Sequence, residues 1–80
     1  MRKEVIMPKI GLDMEEGTIV HWDKKVGDKV VRGEKLLEIE TDKAVTNVEA
    51  AVDGTLVEIV AQEGDTVEIT KTIAWVETDE

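Results

Sequence analysis

The second half of this 80-residue chain repeats the first half at a constant offset of 37 residues, without gaps. Identical residues occupy nine aligned positions. They are Gly17-Thr18 with Gly54-Thr55, Val20 with Val57, Gly27-Asp28 with Gly64-Asp65, Val30 with Val67, and Glu40-Thr41-Asp42 with Glu77-Thr78-Asp79. Because glycine and turn positions are shared, chance is a poor explanation, and the repeat predicts two similar units in one small domain.

Both halves show the pattern of β-strands rather than of helices. β-branched residues are dense, apolar and polar residues alternate over short runs, and Gly-Asp pairs separate the runs. In those pairs glycine can adopt a positive φ and the aspartate side chain can bond nearby backbone. The predicted strands are EVIM, TIVHW, LLEIET, VTNVEA, TLVEIV and TIAWVE, with shorter strands around Val30 and Val67.

Two related halves of this kind predict an all-β fold, a flattened barrel or sandwich of two four-stranded antiparallel sheets with a pseudo-two-fold axis. Trp22 and Trp75 are not repeat mates, so at least one is expected to be half exposed, in a packing role. The predicted core is aliphatic and consists of Ile6, Ile19, Val20, Val30, Leu37, Ile39, Val48, Leu56, Ile59, Val67, Ile73 and Val76.

Composition excludes several classes of function. A formal net charge of -9 argues against nucleic acid as a partner, and no apolar run is long enough to cross a membrane. Serine and cysteine are both absent, so the usual nucleophiles of an enzyme are missing. His21 is expected to be an exposed polar residue, since further metal ligands are not visible nearby.

The repeat ends at Lys43, which aligns with the final residue, Glu80. The first copy must turn there while the second stops, so a two-fold axis would place the Lys43 hairpin at one edge and the C-terminus at the opposite edge. Spacing and charge alone do not distinguish a functional lysine from one that serves solubility. The residues themselves therefore leave the role of Lys43 open.

Three stretches, MPKIGLDMEEGTIVHW, VGDKVVRGEKLLEIETDKAVTNVEA and DGTLVEIVAQEGDTV, resemble the lipoyl domain of dihydrolipoyl acyltransferases, within the biotinyl/lipoyl attachment family. The resemblance runs from about Val5 to Val76. It implies that Lys43, between Asp42 and Ala44, carries lipoic acid in amide linkage. Biotinyl domains typically have methionines in those flanking places, which favours lipoate. A glycine-cleavage carrier would be longer, and an unmodified structural adaptor stays an alternative.

The resemblance also implies a function and partners. The domain would be a carrier and not itself an enzyme, modified by a lipoate ligase or lipoyl transferase. Its arm would serve a thiamine-diphosphate-dependent 2-oxo acid decarboxylase, an acyltransferase core and a dihydrolipoyl dehydrogenase. Residues 1–80 would form one monomeric module, the N-terminal part of a longer acyltransferase, in the cytoplasm or, in a eukaryote, the mitochondrial matrix. The arm is expected to project into solvent.

Two groups of residues are candidates for recognition by partners. The resemblance places the loop Lys9–Glu16 beside the lysine hairpin, where Leu12 and Met14 would offer apolar contacts; alternatively both tuck into the end of the core. Glu40, Asp42 and Glu49 would surround the attachment site with negative charge, and Ala44, which like Asp42 adjoins Lys43, is a further candidate for recognition. We expect this charge to steer the basic faces of partners and to raise encounter rates more than affinity.

Overall fold

The computed structural model describes residues 1–42 and 44–78, and within them the chain forms eight strands and no helix. The long and short strands predicted from the sequence are all confirmed, with small differences at their ends. No helix in the described ranges is therefore available to span a bilayer. The strands are β1 (Arg2–Ile6), β2 (Glu16–Trp22), β3 (Lys29–Val30), β4 (Lys35–Glu40), β5 (Val45–Glu49), β6 (Gly54–Ile59), β7 (Thr66–Glu68) and β8 (Thr72–Glu77).

The strands form two four-stranded antiparallel sheets, in the orders β1-β8-β6-β3 and β5-β4-β2-β7. The offset of the repeat takes β2 onto β6, β3 onto β7 and β4 onto β8. The remaining strands, β1 and β5, then occupy equivalent edges of the two sheets. The predicted flattened barrel-sandwich with pseudo-two-fold symmetry is confirmed.

A β-bulge recurs at the same place in both halves. The pairing of β2 with β4 shifts register between Ile19 and His21, and that of β6 with β8 shifts between Leu56 and Glu58. An extra residue in a strand moves the following side chains to the other face. Ile19 and Trp22 are consequently both buried although three positions separate them.

The core lies between the two sheets and largely follows the prediction. Two predicted members were wrong: Val20 is 43% exposed because it lies at the bulge, and Ile6 is 39% exposed at the end of edge strand β1. Ile59 and Val67 pack against the core but are only partly buried. The predicted residues that are buried are Ile19, Val30, Leu37, Ile39, Val48, Leu56, Ile73 and Val76.

Several core residues were missed by alternation alone. Leu36 and Leu37 are adjacent in β4 yet both buried, because the pairing with β5 shifts register between Lys35 and Leu37. Trp22 is also buried, and its indole Nε1 donates a hydrogen bond to the Ala61 carbonyl at 2.9 Å. Trp75 is half-buried, so the expected packing role of the tryptophans is confirmed.

The two Gly-Asp turns have the predicted geometry. Gly27 and Gly64 have φ of 99° and 93°, values that a side chain rarely allows. Asp28 Oδ2 accepts a hydrogen bond from Lys25 N at 2.9 Å, and Asp65 Oδ2 accepts one from Gln62 N at 2.8 Å. Each turn joins a strand of one sheet to a strand of the other, so the turns fix how the two sheets stack.

Candidate functional site

The chain reverses direction between β4 and β5. Glu40 and Val45 are partners in the ladder, and Thr41 N donates a hydrogen bond to the Ala44 carbonyl at 2.9 Å. The Thr41 hydroxyl donates to the same carbonyl at 3.2 Å, so both groups of this threonine close the reversal. Asp42 and Ala44 are exposed. Lys43, the predicted attachment residue, lies outside the described residues.

The same hydrogen bonds recur in the second half, where two ends of the chain meet. Thr78 is the repeat mate of Thr41, and its amide and hydroxyl donate to the Met1 carbonyl at 2.8 and 3.0 Å. Met1 therefore stands where Ala44 stands in the first half. In one half a hairpin joins the interior strand β4 to the edge strand β5, whereas in the other half only hydrogen bonds join the interior strand β8 to the edge strand β1.

The loop between β1 and β2 folds back on itself near its middle. Met14 N donates a hydrogen bond to the Gly11 carbonyl at 3.2 Å, and Ile10 N donates one to the Met14 sulfur at 3.4 Å. Leu12 is 93% exposed, whereas Met14 is half-buried and packs against the core. The two residues therefore follow different alternatives: Leu12 is exposed to solvent, whereas Met14 packs against the end of the core.

The loop and the hairpin together line one groove of about 430 Å³. Four of the predicted recognition residues line this groove, namely Leu12, Met14, Asp42 and Ala44. The loop and the hairpin therefore lie side by side, as expected. Glu40 is exposed at the hairpin end of β4, whereas Glu49 is exposed at the far end of β5, where it pairs with Lys35, so the expectation that Glu49 surrounds the attachment site was wrong. Neither glutamate is among the described residues that line the groove. Among residues 1–42 and 44–78, the lining consists of Ile10, Gly11, Leu12, Asp13, Met14, Thr41, Asp42, Ala44 and Thr46.

Ion pairs hold the opposite end of β4. Lys24 Nζ lies 2.9 Å from Glu34 Oε1, and its hydrogen bond lowers the pKa of the Glu34 carboxyl. Lys35 donates to Glu38 and lies 3.4 Å from Asp23, and these carboxylates raise the pKa of the Lys35 ammonium. Both lysines at this end of β4 are thus paired with nearby carboxylates.

His21 is exposed, as the sequence predicted, and lies between two carboxylates. Its Nδ1 is 3.1 Å from Glu63 Oε2, and its Nε2 is 3.3 Å from Asp23 Oδ1. Among residues 1–42 and 44–78, no group of three or more histidine, cysteine, aspartate or glutamate side chains is arranged to hold a metal ion. Both ring nitrogens of His21 thus face carboxylates at the surface.

A family model described as "Biotin-requiring enzyme", for biotin and lipoyl attachment domains, matches residues 3–76. A solved lipoyl domain, from the 2-oxoglutarate dehydrogenase complex of Azotobacter vinelandii, is 37% identical, with a TM-score of 0.76 over 94% of this chain and 95% of that one. The chain is a lipoyl domain. Members of this class are carrier modules that hold lipoic acid covalently on a lysine.

Similar lipoyl domains occur within much longer proteins. The acetyltransferase component of the Corynebacterium glutamicum pyruvate dehydrogenase complex is 49% identical over 71 residues, which are 89% of this chain and 10% of the relative. The succinyltransferase component of the Staphylococcus saprophyticus 2-oxoglutarate dehydrogenase complex is 47% identical over 73 residues, 91% of this chain and 17% of the relative. This lipoyl domain thus spans less than a fifth of these relatives.

A second structural neighbour shares the fold alone. Urea carboxylase of Kluyveromyces lactis superposes with a TM-score of 0.79 over 96% of the lipoyl domain and 6% of its own chain, at 23% identity. Such low identity carries no statement about its chemistry. The closer sequence likeness is to lipoyl domains and to dihydrolipoyl acyltransferases.

Sequence reasoning missed part of the groove. Ile10, Thr41 and Thr46 line it but were not predicted as site residues. For Thr41 a signal was present, because Glu-Thr-Asp is the longest run of identities in the repeat and ends where the two copies diverge. For Ile10 there was none, since its loop precedes the repeated segment and shows no alternation.

Proposed function

We propose that this lipoyl domain carries its lipoic acid in amide linkage to Lys43, as the acyl-carrying module of a 2-oxo acid dehydrogenase acyltransferase. The observation that carries the proposal is the reversal closed by Thr41 and Ala44, which joins β4 and β5 at the edge of a packed sheet. A residue between Asp42 and Ala44 is then anchored to a firm base. The named relatives support the acyltransferase context.

The residues of the domain position the arm and leave the chemistry to it. An amine must lose its proton before it attacks an activated acyl group, so the base comes from a lipoate ligase or lipoyl transferase. The attached dithiolane supplies the disulfide and thiol chemistry that a chain without cysteine lacks. A covalent tether keeps the acyl group at a high effective concentration near successive active sites.

The proposed partners follow from the acyltransferase context. They are the thiamine-diphosphate-dependent decarboxylase that loads the arm, the acyltransferase core that unloads it, and the dihydrolipoyl dehydrogenase that reoxidises it. We place the domain at the N-terminal side of a longer chain, in the cytoplasm or the mitochondrial matrix. The domain itself would be a monomer and would catalyse no step.

Coexpression with a lipoate ligase is expected to add the mass of one lipoyl group to the domain, and peptide mass spectrometry should locate it on Lys43. Coexpression with a biotin ligase should add nothing, since Asp42 and Ala44 replace the methionines of biotinyl domains. Lys43→Arg keeps the charge and should abolish the adduct while the circular dichroism spectrum stays unchanged. An adduct on another lysine, or a biotin adduct alone, would overturn the proposal.

Negative charge near the hairpin should accelerate loading of the arm. Glu40 is exposed at the hairpin end of β4, and screening shortens from about 30 Å at 0.01 M salt to about 8 Å at 0.15 M. We expect reductive acylation by the decarboxylase to slow roughly tenfold over that range. Glu40→Gln should weaken the salt dependence, whereas Glu49→Gln, an equal change of charge beside Lys35 at the other end of the β4–β5 ladder, should not. A rate indifferent to salt would contradict steering.

A further inference from the structure

The groove beside the hairpin has walls from two separate parts of the chain. Leu12 and Met14 belong to the loop between β1 and β2, whereas Asp42 and Ala44 belong to the hairpin between β4 and β5. The two hairpin residues are the neighbours, on either side, of the attachment position. Both sequence neighbours of residue 43 thus line the groove, so any group that residue 43 carries is attached next to the groove.

The chemistry of the groove fits an uncharged aliphatic group. Its surface is more apolar than polar: Ile10, Leu12, Met14 and Ala44 supply apolar side chains, and Asp13 and Asp42 are its charged residues. Leu12 and Ile10 are 93% and 50% exposed, so the groove has apolar surface that water now covers. Covering such surface is favourable, and a volume of about 430 Å³ lies within the range of about 300–1,000 Å³ usual for small-molecule sites.

Lysine modification changes what this groove can accept. A free ammonium is strongly hydrated and would lose that hydration among aliphatic side chains. Amide formation removes the charge and attaches a saturated carbon chain that ends in a dithiolane. The modified side chain is thus uncharged and continues beyond the amide as a second aliphatic segment, whereas the four methylenes of the unmodified one end in a charge.

We propose that this groove is an intramolecular resting site for the lipoyl group, whose carbon chain lies between Leu12 and Ala44 when no partner is engaged. The proposal rests on attachment at Lys43. It replaces the expectation that the arm projects into solvent with an equilibrium between a docked and a free arm. A partner that covers Leu12 would then also release the arm, so contact with the loop and delivery of the arm are linked.

The experiment compares three forms of the domain by methyl NMR: unmodified, acetylated at Lys43 through a genetically encoded acetyl-lysine, and lipoylated. The acetylated form has the same amide and the same loss of charge but no chain, so it isolates the effect of the chain. We expect the Leu12 and Met14 methyl resonances to shift in the lipoylated form only. Nuclear Overhauser contacts should join them to the methylene protons of the arm.

Leu12→Ser provides a second readout, with Val31→Ser as a matched control because Val31 is exposed but does not line the groove. Removing apolar contact worth about one methylene should lower the ratio of docked to free arm roughly fourfold. The chain-dependent shift of the Ala44 methyl should fall accordingly, whereas Val31→Ser should leave it unchanged.

The outcomes separate this inference from the proposed function. If intact mass shows no lipoyl group at Lys43, both fail. If the group is attached but the lipoylated and acetylated spectra agree at Leu12 and Met14, the resting site alone is overturned. The same holds if Leu12→Ser and Val31→Ser change the Ala44 shift equally.

Discussion

Gly54→Ala is expected to destabilise the domain severely, by about 3 kcal/mol or more. A Cβ at this position would lie 2.2 Å from the Glu77 carbonyl oxygen and 2.8 Å from Val76 Cγ1. The first of these atoms is backbone in the neighbouring strand β8, which cannot move without breaking its ladders to β1 and β6. The methyl group would therefore force apart the centre of one sheet.

The size of this loss matters because a domain of 80 residues has about 4–12 kcal/mol of stability in total. A loss of about 3 kcal/mol should lower the melting temperature by roughly 12–24 °C. Thermal unfolding followed by circular dichroism measures this directly, and urea titration gives the free energy of unfolding. A variant that does not fold at room temperature would show an even larger loss of stability from the same cause.

Gly17→Ala is the matched control, because Gly17 is the repeat mate of Gly54. There the added Cβ would lie 3.0 Å from the Met7 sulfur and 3.1 Å from Met14 Cε, which are ends of flexible side chains. Methionine can repack, so we expect a cost of about 1 kcal/mol, in the ordinary range of single substitutions. Equal destabilisation by the two substitutions would show that close backbone approach at Gly54 is not the cause.

This pair of glycines also shows how far the repeat carries the prediction of the fold. The order of the strands within each sheet was not predicted, but the equivalence of the two sheets and the turns at Gly27 and Gly64 follow from the 37-residue offset. The register does not, because bulges reset which residues face inward. Val20 was consequently placed in the core and Leu36 was not, and only the ladder partners reveal the reason.

The site, like the fold, could be predicted from the sequence only in part. The place of the hairpin follows from the point where the repeat ends, and the assignment of Lys43 as the attachment residue follows from the likeness to lipoyl domains. The groove could not be predicted, because it combines the hairpin with a loop that has no mate in the second half. Met14 is partly buried and Leu12 is exposed, although they are only two positions apart, and no periodicity in KIGLDMEE predicts this difference in burial.

Moving the amine by one residue should abolish lipoylation without harming the fold. The double variant Lys43→Ala with Ala44→Lys keeps the composition of the hairpin. The hydrogen bonds that close the reversal use the Thr41 amide and hydroxyl and the carbonyl of residue 44, so they do not depend on either exchanged side chain. The melting temperature is therefore expected to stay within a few degrees of the parent value, roughly the effect of an ordinary surface substitution.

Modification, in contrast, depends on where the hairpin presents the amine. Successive side chains of a strand face opposite ways, and residue 44 adjoins Val45, the first residue of β5, and lines the groove. A ligase that docks on the sheets would find the displaced amine several ångströms from its reaction centre, where even 1 Å can cost about a hundredfold in rate. Intact mass after equal times of ligation should show about one per cent of the parent's adduct or less.

Asn47→Ser, an exposed substitution in β5 that keeps Lys43 and Ala44 in place, serves as the control and should be lipoylated at the parent rate. If the displaced amine were modified as fast as Lys43, the ligase would recognise any accessible lysine near the acidic residues rather than a lysine at one fixed position. The rigid platform of two paired sheets would then have no part in selecting the lysine. Loss of modification with an intact fold would instead tie the choice of lysine to the register that pairs Glu40 with Val45.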